Sequence, residues 1–125
     1  MRARGDEGQS SVELALSLPF VFGLLLALVQ AGLLVRDQVM VDHAAREAVR
    51  VAAVSGDVGR VRTAAAGASD ALDPARLTVV VGGRGPPGST VRVDVGYDDP
   101  IRVPVLGFLR SSVRLSASAS ILVEV

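Results

Sequence analysis

The chain of 125 residues contains no cysteine, no lysine and no tryptophan, and it has a single histidine. The absence of cysteine excludes disulfides, thiol catalysis and Cys/His zinc sites. Thirteen basic residues, all arginine, balance thirteen acidic ones, so no cationic surplus favours nucleic acid. With only 3% aromatic residues, the chain is also a poor stacking platform for bases or sugars. We therefore expect no cofactor, no metal, no nucleic-acid partner and no small-molecule substrate.

Aliphatic residues are abundant instead, and residues 14–35 form an apolar run without a charge. As an α-helix this run is about 33 Å long, whereas the hydrocarbon core of a bilayer is about 30 Å thick. The rest of the chain is too short to cover such a helix on all sides, so the run predicts a transmembrane helix. A secretory signal cut after Ala31 is the competing interpretation, although Glu13 and the length of the run disfavour it.

Small residues and one proline recur at every fourth position of the predicted span. They are Ala15, Pro19, Gly23, Ala27 and Ala31. Small side chains along one ridge let the backbone of a second helix approach closely, which predicts a helix-packing surface. The general richness of membrane helices in alanine and glycine explains the same pattern equally well. Proline lacks a backbone donor, so a mild kink is expected at Pro19.

A short charged leader ending at Gly8 precedes the span, and Glu13 stands at the mouth of the span. Residues 8–19 (GQSSVELALSLP) and residues 44–50 (AAREAVR) resemble the TadE-like proteins, which are minor pilins or pseudopilins of tight-adherence (Flp-type) pilus systems. This resemblance implies that a prepilin peptidase removes leader residues 1–8 by cutting between Gly8 and Gln9.

The resemblance also implies a role for Glu13 as an assembly charge that neutralises the new amino terminus at Gln9 of a neighbouring subunit. Without the resemblance, the simpler interpretation is that the Glu13 side chain lies among the lipid headgroups. The implied partners are membrane lipid, the prepilin peptidase, other pilins and a pilus assembly platform. The implied location is the inner (plasma) membrane in a single pass, with a cytoplasmic amino terminus, an extracytoplasmic carboxyl-terminal domain and incorporation into an extracellular pilus.

Beyond the span, the helical pattern continues to about Ser55, which gives a TadE-like helix over residues 9–54. Its apolar side consists of Val41, Ala44, Ala45, Ala48 and Ala52. A second helical stripe extends from Val58 to Leu72. Residues 77–81, 90–97 and 112–125 then alternate apolar and polar side chains, as strands do.

The expected fold is therefore α+β. A single amino-terminal transmembrane helix extends into a pilin-like domain, in which residues 55–125 form a second helix and a small three-stranded antiparallel sheet. Alanine-rich helix faces are expected to cover the apolar face of the sheet.

Two further patterns are interpreted structurally. Residues 83–88 (GRGPPG) match a GxGxxG dinucleotide motif, but a strand follows where that motif needs a helix, which predicts a hairpin loop. Calcium prefers oxygen ligands, and carboxylates occur close together at Asp94, Asp98 and Asp99. Their spacing matches no established calcium loop, which favours a solvated turn.

The leading hypothesis is a non-enzymatic, membrane-inserted pilin-like structural subunit that takes part in assembling an extracellular Flp-type pilus. An uncleaved single-pass protein whose outside domain binds a partner or a cell-wall component is the alternative. A secreted enzyme released by cutting after Ala31 is a third hypothesis, for which the sequence supplies few catalytic groups.

Overall fold

The computed structural model describes the backbone of residues 4–103 and 106–123, and the side chains from Gly8 onward in those ranges. It contains two α-helices, a three-stranded antiparallel sheet and two short 3-10 turns. These elements are α1 (Arg4–Val54), α2 (Val58–Gly67), a 3-10 turn (Pro74–Arg76), β1 (Leu77–Gly82), β2 (Thr90–Pro100), a second 3-10 turn (Leu106–Phe108) and β3 (Ser112–Leu122). The α+β prediction is confirmed.

Helix α1 has 51 residues, so it is about 77 Å long, and it continues as α-helix through both Gly8 and Pro19. Its two halves have different surroundings. Every side chain of residues 8–25 is exposed, whereas from Val41 onward one face is buried against the rest of the chain. Within the described residues, this is one helix long and apolar enough to cross a membrane.

The three strands form a meander in the order β1-β2-β3, with both pairs antiparallel. In the middle of the sheet, Val95 lies between Val79 and Ala117, and all three face the helix. The buried face of α1 consists mainly of alanines, and this brings the helix backbone close to the sheet. The opposite face of β3 presents Ser116, Ser118 and Ser120 to solvent, as the alternation predicts.

The structure corrects several predicted boundaries. Strand β2 continues past Tyr97 to Pro100, because its pairing with β3 persists and Arg114 Nη1 lies 3.0 Å from Asp98 Oδ1 across the ladder. Helix α2 ends at Gly67 rather than near Leu72, since glycine is a poor helix former and an irregular turn follows. Strand β3 ends at Leu122, and residues 124–125 of the predicted strand lie outside the described residues.

Residues 83–88 form the hairpin connection between β1 and β2, as expected. Gly83 and Gly88 have φ values of +72° and +90°, which residues with a side chain rarely adopt. The chain enters β2 directly after this loop, so there is no helix amino terminus for a phosphate group.

Ala48 is fully buried between α1 and the sheet, so enlarging it tests the close packing. We expect Ala48→Leu to lower the free energy of unfolding by about 1–3 kcal/mol, because a packed interface cannot take up the added methyl groups without strain. Thermal unfolding in detergent micelles measures this loss. Arg46→Leu, on the exposed side of the same helix, is the control. Equal melting temperatures for the two variants would contradict the close packing.

Candidate functional site

The residues of the predicted cleavage and assembly site lie on the exposed surface of α1. Gly8, Gln9 and Glu13 are all exposed. Apart from the chain neighbours of Gly8 and the adjacent helix backbone, no described atom lies within 4 Å of the point where a side chain at Gly8 would begin. Gln9 and Glu13 are one helical turn apart and share a face. The hydroxyl of Ser17 donates to the backbone carbonyl of Glu13 at 2.7 Å. The helix is continuous across Gly8, so the bond after it lies in helical backbone.

The five residues of the small-residue ridge, Ala15, Pro19, Gly23, Ala27 and Ala31, are exposed as well. Apart from the neighbouring residues and the adjacent helix backbone, no atom of the described residues lies within 4 Å of the point where a side chain at Gly23 would begin. The ridge is therefore open to another molecule, whether lipid or a second helix.

A cluster of polar residues lies where α1 passes from the apolar span into the domain. It consists of Gln30, Asp37, Asp99 and Arg102, and we call it the junction cluster. The side-chain oxygen of Gln30 accepts hydrogen bonds from the backbone N–H groups of Arg102, at 3.1 Å, and of Val103, at 3.2 Å. These bonds attach the segment after β2 to a residue inside the apolar run.

Two buried carboxylates share the single guanidinium of the junction cluster. Asp37 on α1 and Asp99 on β2 are both 0% exposed. Arg102 Nη2 donates to Asp37 Oδ2 at 2.7 Å and lies 3.4 Å from Asp99 Oδ1. One arginine therefore links the helix to the sheet through a charge-assisted hydrogen bond at each side.

Two acids facing one base leave an excess negative charge if both acids ionise. Burial, the negative charge of Asp37 and the hydrogen bond with Asp37 raise the pKa of Asp99 from its ordinary 3.8 to about 6, against the opposing charges of Arg102 and Arg76. The hydrogen bond with Asp37 also raises the pKa of Arg102, which stays charged. A proton on Asp99 therefore removes the charge imbalance.

The junction cluster also contains unpaired polar atoms. With both carboxyl groups ionised, Gln30 Nε2, Asp37 Oδ1 and Asp99 Oδ2 are buried and have no hydrogen-bond partner among the described residues. The hydrogen bond between Asp99 and Asp37 needs the proton that the raised pKa keeps on Asp99. Buried polar groups without partners cost free energy, so this part of the interface is the one most sensitive to substitution and to proton uptake.

The three aspartates considered as cation ligands do not converge, and the solvated turn predicted for them is wrong, because all three lie on β2. Asp94 pairs with Arg92 at 3.0 Å, Asp98 pairs with Arg114, and Asp99 points to the helix side into the junction cluster. Within the residues that the structure describes, no group of three or more acidic or histidine side chains is placed to hold a metal.

The sequence analysis missed the junction cluster, although it contained a signal for it. Asp37 lies four residues before Val41, so it continues the apolar face of α1 as a carboxylate in a buried position. Such an acid requires a basic partner, and the apolar run contains one lone amide, Gln30, seven residues before Asp37. The basic partner, Arg102, lies 65 residues further along the chain, so no pattern near Asp37 predicts it.

These features define a class of protein in which one long apolar helix, exposed over its first half, continues into a helix-on-sheet domain. A family model described as TadE-like protein matches residues 8–50 of the chain. The match covers about a third of the chain, and over this region it confirms the resemblance to TadE-like proteins. The matched residues contain the predicted cleavage motif, the apolar run and most of the buried face of α1. TadE-like proteins are a structural family associated with tight-adherence pili.

No curated protein and no solved structure matches the chain significantly. The family match therefore supports association with a pilus, and the individual roles of the residues rest on the geometry of the chain itself.

The raised pKa of Asp99 predicts how stability depends on pH. A carboxyl group with a raised folded pKa contributes stability that is complete below its ordinary pKa of 3.8 and is lost as pH rises through about 6. We expect Asp99→Asn, which stays neutral, to flatten the fall in stability between these pH values. Urea unfolding in micelles across this range measures the slope. Asp98→Asn, at the exposed neighbouring position, is the control and should keep the wild-type slope.

The Gln30 side chain accepts two backbone hydrogen bonds, so removing its amide should affect the segment that donates them. In Gln30→Leu, two backbone N–H groups lose their acceptor, which costs about 1–3 kcal/mol for each buried donor. We expect the amides of Arg102 and Val103 to exchange hydrogen faster in the variant. Hydrogen-exchange mass spectrometry measures the rates, and Val29→Leu, at an exposed neighbouring position, should leave them unchanged. Protection that survives in Gln30→Leu would show that the amide is not the anchor.

Proposed function

We propose that the protein is a non-enzymatic, membrane-inserted pilin-like subunit involved in assembly of an extracellular Flp-type (type IV-like) pilus and processed by a prepilin peptidase. The observation that carries this proposal is the coincidence of the TadE-like region, residues 8–50, with a helix whose first half is apolar and uncovered. An exposed apolar helix requires lipid or other helices around it, and a pilin helix has lipid before assembly and neighbouring subunits after it.

The cleavage site follows from the chemistry of Gly8. Glycine in a helix costs about 1 kcal/mol relative to alanine, so the helix unwinds more easily at Gly8 than it would at a residue with a side chain. The residue has no side chain, and the space around it is open, so a peptidase has access to its backbone. In this proposal residues 1–8 are the leader, and the mature chain begins at Gln9.

The assembly charge follows from the position of Glu13. Its carboxylate is exposed at the edge of the apolar run, where an unpaired charge is costly. Cleavage would create a positive amine at Gln9, one helical turn away. A staggered neighbour would bring its own amine to Glu13, and this pairing would set the register between subunits. The small-residue ridge provides the surface on which the neighbouring helix packs.

The proposed partners are membrane lipid, the prepilin peptidase, other pilins and the assembly platform. The proposed location is the inner membrane, with the amino terminus in the cytoplasm and the domain formed by residues 55–125 outside. A cut after Ala31 is disfavoured, because it would remove Gln30 and its two hydrogen bonds from the domain.

An uncleaved anchored binding protein is the second candidate, and one observation favours it. Helix α1 begins at Arg4 and continues through Gly8 without a break, so residues 4–8 of the proposed leader belong to the same helix as the apolar run. In that case the uncovered polar face of the sheet, with its pairs Arg92–Asp94 and Arg114–Asp98, is the surface for a partner.

Processing in the native host separates the two candidates. We expect mass spectrometry to find the wild-type chain beginning at Gln9, and Gly8→Leu to retain residues 1–8, because a bulky side chain blocks access to the backbone. Gly5→Leu, the same change within the leader, is the control and should still be cleaved. A wild-type chain that keeps its leader, or begins at Gly32, would contradict the proposal.

Glu13→Gln tests assembly separately from cleavage. The variant keeps Gly8 and Gln9, so we expect normal processing and membrane insertion but a loss of the subunit from sheared pili, since the charge that pairs with the neighbouring amine is gone. Immunoblots of membrane and pilus fractions measure this distribution. Normal recovery of Glu13→Gln in pili would show that the charge is not needed for assembly.

A further inference from the structure

The connection between β2 and β3 carries an apolar tip. Residues 103–109 (VPVLGFL) contain no charged or hydrogen-bonding side chain and lie between Arg102 and Arg110. We call its described residues, Val103 and residues 106–109, the loop tip. Phe108 is 96% exposed and Leu109 is 84% exposed, whereas the most exposed large apolar side chain of the span, Phe20, reaches 81%. In water, such a tip would be unfavourable.

The loop tip begins beside the apolar span rather than above it. Gln30 accepts from the backbone N–H groups of Arg102 and Val103, so these residues lie at the level of Gln30. Gln30 is six residues before Arg36, the first charge after the span, which is about 9 Å along the helix axis. Partial burial of Leu26 and Leu33, on the same face as Gln30, is consistent with contact at this level.

The length of the span decides where the membrane surface lies. If the bilayer ended below Gln30, residues 14–29 would have to cross it, and their helix is about 24 Å long against a hydrocarbon core of about 30 Å. Tilting the helix would shorten its reach further. The bilayer therefore extends past Gln30, which places the loop tip at the lipid interface.

The backbone of the loop tip is suited to a surface poor in water. The carbonyl of Val103 accepts from the N–H groups of Leu106 and Gly107, at 3.2 and 3.1 Å. The carbonyl of Leu106 accepts from those of Leu109 and Arg110, at 3.1 and 3.3 Å. These internal bonds satisfy donors that lipid cannot satisfy.

We propose that the loop tip is a second membrane contact, which inserts Phe108 and Leu109 among the lipids of the leaflet on the domain side. The inference rests on the proposed membrane insertion of the span. Arg110, at the end of the tip, then lies at the level of the lipid phosphates. Two contacts, the span and the loop tip, fix the orientation of the domain relative to the bilayer, which one helix alone leaves free to rotate.

A single tryptophan tests the proposal directly, because the chain has none of its own. The variants Phe108→Trp and, independently, Leu109→Trp are placed in lipid nanodiscs with or without lipid brominated near the headgroup end of its acyl chains. We expect blue-shifted emission from both variants and a loss of roughly half of it to the brominated lipid, as for an aromatic side chain at the interface.

Two further variants make the result unambiguous. Phe20→Trp, within the exposed span, is measured with a second lipid that is brominated deeper in its acyl chains, and it reports whether the helix itself is inserted. Val80→Trp, at an exposed apolar position on β1, is the matched control and should show water-exposed, unquenched emission. Quenching at positions 20, 108 and 109 but not at 80 supports the proposal.

The remaining outcomes overturn it in distinguishable ways. Quenching at position 20 without quenching at 108 and 109 refutes the loop contact and leaves the anchored subunit standing. Blue-shifted but unquenched emission at 108 and 109 assigns the tip to a protein contact instead of lipid. Absence of quenching at position 20 refutes membrane insertion of the span, and the loop contact with it.

Discussion

Arg102 holds Asp37 of α1 and Asp99 of β2 at the same point, and Gln30 fixes the backbone on either side of that arginine. The position of the sheet relative to the long helix depends on this cluster, because α1 presents mostly alanine to the sheet. Alanines allow close approach, but each buries little area, and a smooth alanine face specifies no register along the helix. The directional bonds of the junction cluster specify that register.

The cost of that arrangement is a buried charge imbalance. Replacing buried ion pairs by apolar residues is often neutral or stabilising, so such a cluster is weak evidence for stability in itself. The location of the junction cluster gives a better physical reason for its presence. The cluster lies where the surroundings of α1 change from apolar to polar, and polar groups at that level keep the domain from sliding further along an otherwise uniform apolar helix. The raised pKa of Asp99 is the consequence of burying two acids there.

Local patterns in the sequence predicted much of the fold, and long-range contacts account for the rest. Three predicted features each depend on a single element, and the structure contains all three. They are the helix over the uncharged run 14–35, the buried alanine face from Val41 to Ala52, and the alternating valines of β2. The extension of β2 to Pro100 depends on its pairing with β3, and the partner of Asp37 is 65 residues away. Neither has a signature within a window of neighbouring residues.

In the candidate site, too, a local motif predicts some residues, and the folded chain adds information about their surroundings. Gly8, Gln9 and Glu13 are predicted site residues because a short motif contains them, and in the structure they are exposed on a continuous helix. Their exposure is shared by the small-residue ridge and by the loop tip. In the function we propose, a subunit that leaves the bilayer for a filament exchanges lipid for protein on all of these surfaces. Since lipid and a neighbouring apolar helix solvate such a surface almost equally well, the direction of that exchange depends on polar terms, of which the charge at Glu13 is the one at the membrane edge.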